Sequence, residues 1–116
     1  MEIIDRDYCC QGEALTLSED RRLRLMDFID KHFCQIKSIN YKSSSYGLKH
    51  IIEKRIGFYV SNADCKKAMT ECGYIHDHGD CRNWRFNVSE KSVKETMKME
   101  WIPWKPMENQ NEQNST

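Results

Sequence analysis

The sequence predicts an α+β domain of three short helices followed by a β-hairpin and a C-terminal helix, in a winged-helix-like order. Three observations lead there. Helix-start signals recur along the chain, at Thr16, Ser43–Ser45, Ser61 and Ser89. Glycines stand where helices should end, at Gly57 and Gly73. After Gly73 the apolar period shortens from about 3.6 to 2, the change from helix to strand.

Taken in order, Thr16-Leu17-Ser18-Glu19 matches a capping box. Behind it Leu25, Met26, Ile29, Phe33 and Ile36 make one apolar face, so a first helix is expected from Ser18 to Gln35. The stretch from Lys37 to Tyr41 alternates poorly and reads as a linker or very short strand. A second helix follows the hydroxyls of Ser43–Ser45, with Leu48, Ile51, Ile52 and Ile56 inward and Gly57 as a left-handed cap. Phe58-Tyr59-Val60 is a tight connector. Ser61 caps a third helix with Asp64 in its first turn, where a carboxylate suits the helix dipole. Its inward stripe is Cys65, Ala68, Met69 and Cys72; Asn62, Asp64, Lys66, Lys67, Thr70 and Glu71 are left to face outward.

The hairpin is expected from Tyr74 to Val88, with Gly79 in its turn and Trp84-Arg85-Phe86-Asn87-Val88 alternating apolar and polar. Ser89 then caps a last helix with Val93, Met97 and Trp101 on one face, stopped by Pro103 and Pro106. Trp101 and Trp104 are expected to close the core against that helix; the other reading of them is a docking anchor. The domain plan is an acidic arm over residues 1–17, one α+β domain over 18–104, and a disordered tail over 105–116.

Composition narrows the class. The chain has 116 residues, 39% hydrophobic and 31% charged, which is enough for one small core and not for a deep pocket. No apolar run reaches the roughly 18–20 residues of a membrane span, and Met1–Tyr8 is not a signal peptide. A soluble, cytoplasmic protein with its six cysteines reduced is expected. Lys plus Arg and Asp plus Glu are 18 each, yet unevenly placed. Residues 1–20 carry six acids and one base, whereas residues 21–55 carry nine bases and three acids. The basic stretch could meet phosphates, or it could be a solvated face that the acidic arm partly neutralises.

For chemistry, the informative cluster is His76-Asp77-His78-Gly79-Asp80-Cys81 with Cys72 upstream. Cys72, His76, His78 and Cys81 supply the two thiolates and two imidazoles of a closed, structural zinc site, one zinc per chain, with His50 or Cys34 as substitutes for one ligand. The competing reading leaves Cys72 as a small hydrophobe in the third helix and both histidines as loop residues. No Cys–His–acid arrangement, Gly-rich phosphate loop or helical H-E-x-x-H stands in the chain, and Asp77 and Asp80 fit a turn better than an acid/base pair. A non-enzymatic protein is expected. Its partner-binding cations would be Lys49, Lys54, Arg55, Lys66 and Lys67, with Arg82 and Arg85 on the hairpin.

The segments Ser44-Ser45-Tyr46-Gly47-Leu48-Lys49-His50, Gly57-Phe58-Tyr59-Val60-Ser61-Asn62, Ala68-Met69, Cys72-Gly73-Tyr74 and Asn83-Trp84-Arg85-Phe86-Asn87-Val88 carry a resemblance. Over about residues 43–89 the chain resembles small accessory proteins of phages, plasmids and conjugative elements of Gram-positive bacteria, most of all type II-A anti-CRISPR proteins, some of which contain metal. Where Cys65 stands, the wider set suggests a larger apolar residue. The resemblance implies a protein that inhibits a host type II CRISPR effector nuclease by binding it or its guide complex. Only the His76, His78 and Cys81 cluster is carried over as a site. Two other readings follow from the residues: a winged-helix regulator of the mobile element, with the third helix in the DNA groove, and a metal-dependent hydrolase built on the His76–Cys81 cluster.

Overall fold

Seven elements form among the described residues, and the helices among them start from local causes. The computed structural model describes residues 14–77 and 82–102. In chain order they are α1 (Glu19–His32), β1 (Gln35–Ser44), α2 (Ser45–Ile56), α3 (Asn62–Glu71), β2 (His76–Asp77), β3 (Arg85–Val88) and α4 (Glu90–Met97). The class is α+β: four helices and a three-stranded antiparallel sheet in the order β1-β3-β2.

Serine hydroxyls start all four helices. Ser18, Ser44, Ser61 and Ser89 accept from the backbone N–H groups of Arg21, Gly47, Asp64 and Ser92, donors the helix leaves unsatisfied. Ser61 and Asp64 complete a reciprocal capping box. At the first helix the box expected from Thr16 is not made. Thr16 instead donates through its hydroxyl to Asp64 Oδ2 at 2.6 Å and through its N–H to Asp64 Oδ1 at 3.0 Å, so Ser18 becomes the cap. Gly57 and Gly73 hold φ of 89° and 94°, left-handed values that a side chain disfavours.

β1 is the largest departure from expectation. It runs ten residues, from Gln35 to Ser44, and not the linker or very short strand expected around Lys37–Tyr41. Its pairing is irregular: from Gln35 to Asn40 it advances five positions while β3 moves two, from Val88 to Phe86. Such bulges hide any period-2 pattern. Two asparagines repair the ladder. Asn40 donates to Val88 O at 3.0 Å and accepts from the Lys42 N–H at 2.8 Å. Asn87 on β3 donates to Ile36 O at 2.9 Å and accepts from the Ile75 N–H at 2.7 Å, so one side chain joins both flanking segments.

The core lies between the helices and one sheet face. Leu25 and Ile29 of α1, Leu48 and Ile52 of α2, Cys65, Ala68 and Met69 of α3, Val93 of α4, and Phe86 and Val88 of β3 are all buried together. Ile36, expected inward as part of the first helix, is exposed on β1. Met97 and Trp101, expected on the inner face of the last helix, are 51% and 61% exposed, and Ser92 and Thr96 are buried with Val93 instead. No helix among the described residues is long and apolar enough to cross a membrane.

Candidate functional site

Lysine has a long apolar stem beneath its charge, so its position along a helix does not settle whether it faces water. Two of the lysines expected to meet a partner are internal. Lys66 is fully buried, with Nζ 5.3 Å from the Trp84 ring centroid. Asn62 and Asp64, also expected outward on α3, are buried: Asn62 donates to Arg82 O at 2.9 Å and Asp64 serves the cap. α3 packs against both α1 and α2, and its polar side chains are met by Arg82 at Asn62, Thr16 at Asp64 and Trp84 at Lys66.

Lys49 is buried on α2. Its Nζ lies 3.5 Å from Glu53 Oε1, 4.8 Å from the Tyr59 ring centroid and 5.5 Å from that of Tyr46. Glu53 is buried too; it accepts from the Val60 N–H at 3.3 Å and stands 3.0 Å from His50 Nδ1. The remaining cations are scattered. Lys67 faces Glu71 at 3.7 Å, which also holds Arg22 at 2.8 Å. Arg55 donates to Ile51 O and, at 2.7 Å, to Met97 O, tying α2 to the end of α4. Arg85 donates to Asn83 O; Arg82 and Lys54 are exposed.

The zinc set divides in a different way. Cys72 is half-buried, donates through Sγ to Met26 O at 3.5 Å, and has its thiol pushed up to about 12 by burial and then by the Asp30 carboxylate. In this environment Cys72 packs against the core as a small hydrophobe. His76 stacks on Trp84 with ring centroids 4.3 Å apart and tilts against Phe86. His78 and Cys81 lie outside the described residues, as does the turn expected at Gly79. Among the described residues no group of three or more His, Cys, Asp or Glu side chains converges as a metal site. Of the two substitutes, His50 faces Tyr46 and Glu53, and Cys34 is exposed at the end of α1.

What the structure does assemble is an aromatic and cationic surface on α2. Tyr46, His50 and Lys54 follow i, i+4, i+8 and so share one stripe. Tyr46 is 52% exposed and its ring meets His50 edge-on at 4.5 Å. Tyr59, from the α2–α3 connector, flanks the stripe through Lys49 and also lines a recess of ≈ 370 Å³ with Thr16, Leu17, Ser18 and Arg21. At the far end the Ile102 N–H donates to Lys54 O at 2.6 Å, which brings exposed Trp101 and Ile102 beside the helix. The sequence carried a signal for this surface: α2 has three basic residues and one histidine with a single acid, between two tyrosines. No protein-family model matches the chain, and no curated protein or solved structure matches it.

Proposed function

We propose that this chain is a non-enzymatic binding protein whose partner is another protein, and that the partner is the type II CRISPR effector nuclease or its guide complex, whose action it inhibits in the bacterial cytoplasm. One observation supports a protein partner above the rest. Tyr46, Tyr59, Trp101 and Ile102 are exposed, while Lys49 and Lys66 are buried. Tyr, Trp and Arg dominate the centres of protein interfaces, whereas a nucleic-acid surface needs accessible cations in number. The choice of nuclease rests on the resemblance over residues 43–89. A structural zinc held by His76, His78, Cys81 and Cys72 belongs to the same proposal, and elemental analysis finding about one zinc per chain would support it.

The test is a gel-shift with labelled target DNA, run with this protein alone and with a guide-loaded type II nuclease. Free DNA left unshifted, together with loss of the nuclease's shift, is the expected result. A shift by this protein alone, with nuclease binding intact, overturns it.

A second reading, the winged-helix DNA-binding regulator, draws on one specific observation: a strand after the first helix joins the hairpin in a sheet of order β1-β3-β2 beside α2 and α3. Its reading helix would be α3, and there Asn62, Asp64 and Lys66 are buried. Too few α3 side chains remain to reach base edges, so the protein-partner reading is preferred.

A further inference from the structure

We infer that the Tyr46–His50–Lys54 stripe of α2 is a docking surface for an acidic protein partner, one that presents carboxylates around the tyrosine. For the nuclease as that partner, this rests on the function proposed above; for the chemistry of the surface it does not.

Charge complementarity selects the occupant. Lys54 is exposed and Arg55 half-buried at the C-terminal end of α2, while the helix's one carboxylate, Glu53, is buried beneath it and faces the buried Lys49. Glu53 is already engaged by Lys49, His50 and the Val60 N–H, so it holds the surface together from below and presents little negative charge to a visitor. Lys54 is exposed at the end of the helix, where its charge also suits the dipole. Beside these cations stand apolar contact areas: the Tyr46 ring, Tyr59, and Trp101 with Ile102 held to the helix end through Lys54 O. Aromatic anchors with charge around them are the composition of an interface centre and its rim.

A second copy of the chain is the poorer occupant. Two α2 faces laid together would set Lys54 and Arg55 of each against the other with no exposed carboxylate on the helix to separate them. A nucleic acid needs accessible cations in number, and with Lys49 sunk this helix offers Lys54 and Arg55.

Two experiments test this, the first without the nuclease. The ¹⁵N-labelled full chain is titrated with a short peptide of alternating Glu and Tyr, and separately with a DNA duplex. The peptide is expected to move the amide signals of Tyr46, His50 and Lys54, to lose affinity as salt rises, and to lose about tenfold more with Lys54→Glu. Signals that move elsewhere, no response, a stronger response to DNA at the same stripe, or self-association through α2 each overturn the inference. In the second experiment, the guide-loaded nuclease is expected to bind Tyr46→Ala and Lys54→Glu about tenfold more weakly, but Lys94→Glu, an exposed lysine on α4, as the parent. If the nuclease binds all variants equally, the docking surface is wrong and the inhibitor reading survives. If it does not bind the parent chain, the inhibitor reading falls, and the peptide titration alone decides the surface. Circular dichroism of each variant separates lost docking from lost folding.

Discussion

Lys66 shows how one side chain can reverse a functional reading. By helical position it belongs to the outward face of α3, yet it is fully buried with its charge over the Trp84 ring. Its stem fills core volume, and the ring face offers the ammonium a favourable quadrupole. Lys66→Ala should therefore cost roughly 2–4 kcal/mol, as a core truncation does, where a solvent-facing lysine would cost little. Urea unfolding reads the difference, and an unchanged midpoint would return Lys66 to the surface. Cysteine chemistry makes a second prediction at this scale. Burial pushes both the Cys65 and the Cys72 thiols up to about 12, while Cys34 is exposed. Because the thiolate is the nucleophile, iodoacetamide near pH 8 should label Cys34 in the native chain, and Cys65 and Cys72 only after unfolding. Peptide mapping checks this; early labelling of Cys72 would mean that its thiol is accessible and ionised.

At the scale of elements, α2 ends at Gly57 for a reason that can be tested. Its φ of 89° is left-handed, and a Cβ there would also meet Ile102 Cγ2 at 3.3 Å. Gly57→Ala should lower stability by about 1–2 kcal/mol and loosen the Trp101–Ile102 segment, seen as faster hydrogen exchange of the Ile102 amide that bonds Lys54 O. Slower exchange, or none of the loss, would show that the segment is held elsewhere. The helices were legible because their starts are local events: a serine hydroxyl reaches an N–H three residues on, in all four cases. Gly57, Gly73 and the inward positions Leu25, Ile29, Leu48, Ile52 and Met69 were legible for the same local reasons. β1 was not, because its bulged edge has no alternation to read and its pairing depends on Asn40 and on Asn87, which lies far along the chain.

Across the whole molecule, Glu90 links distant parts and gives stability a pH dependence. It accepts from Asn40 Nδ2 at 2.9 Å and from the Ser43 hydroxyl at 3.0 Å, joining α4 to β1. The Asn40 hydrogen bond, opposed by some burial and aided by Ser43, lowers its carboxyl below the ordinary 4.5. A carboxyl lowered in the folded state binds its proton more tightly when unfolded. Its contribution is therefore complete above the ordinary value and is lost as pH falls through the folded one. The stability gap between the parent and Glu90→Gln should be widest near neutral pH and close as pH falls through the lowered value of the folded state. Urea midpoints measured across that range test it, and a gap that stays constant would detach Glu90 from the acid transition.

The sequence by itself determined the α+β class, the order of its helices and hairpin, the caps at Ser44, Ser61 and Ser89 and most inward positions of the first three helices, because each is written in neighbours within a turn or two. Tertiary structure decided which polar residues reach water. Lys66 meets Trp84, Asn62 meets Arg82 and Asp64 meets Thr16, so these three are enclosed by residues that no local pattern names. The same packing left Tyr46, His50 and Lys54 outside on α2 and turned Met97 and Trp101 out to solvent. Exposure is a property of what packs against a helix, and that is fixed only when distant segments meet.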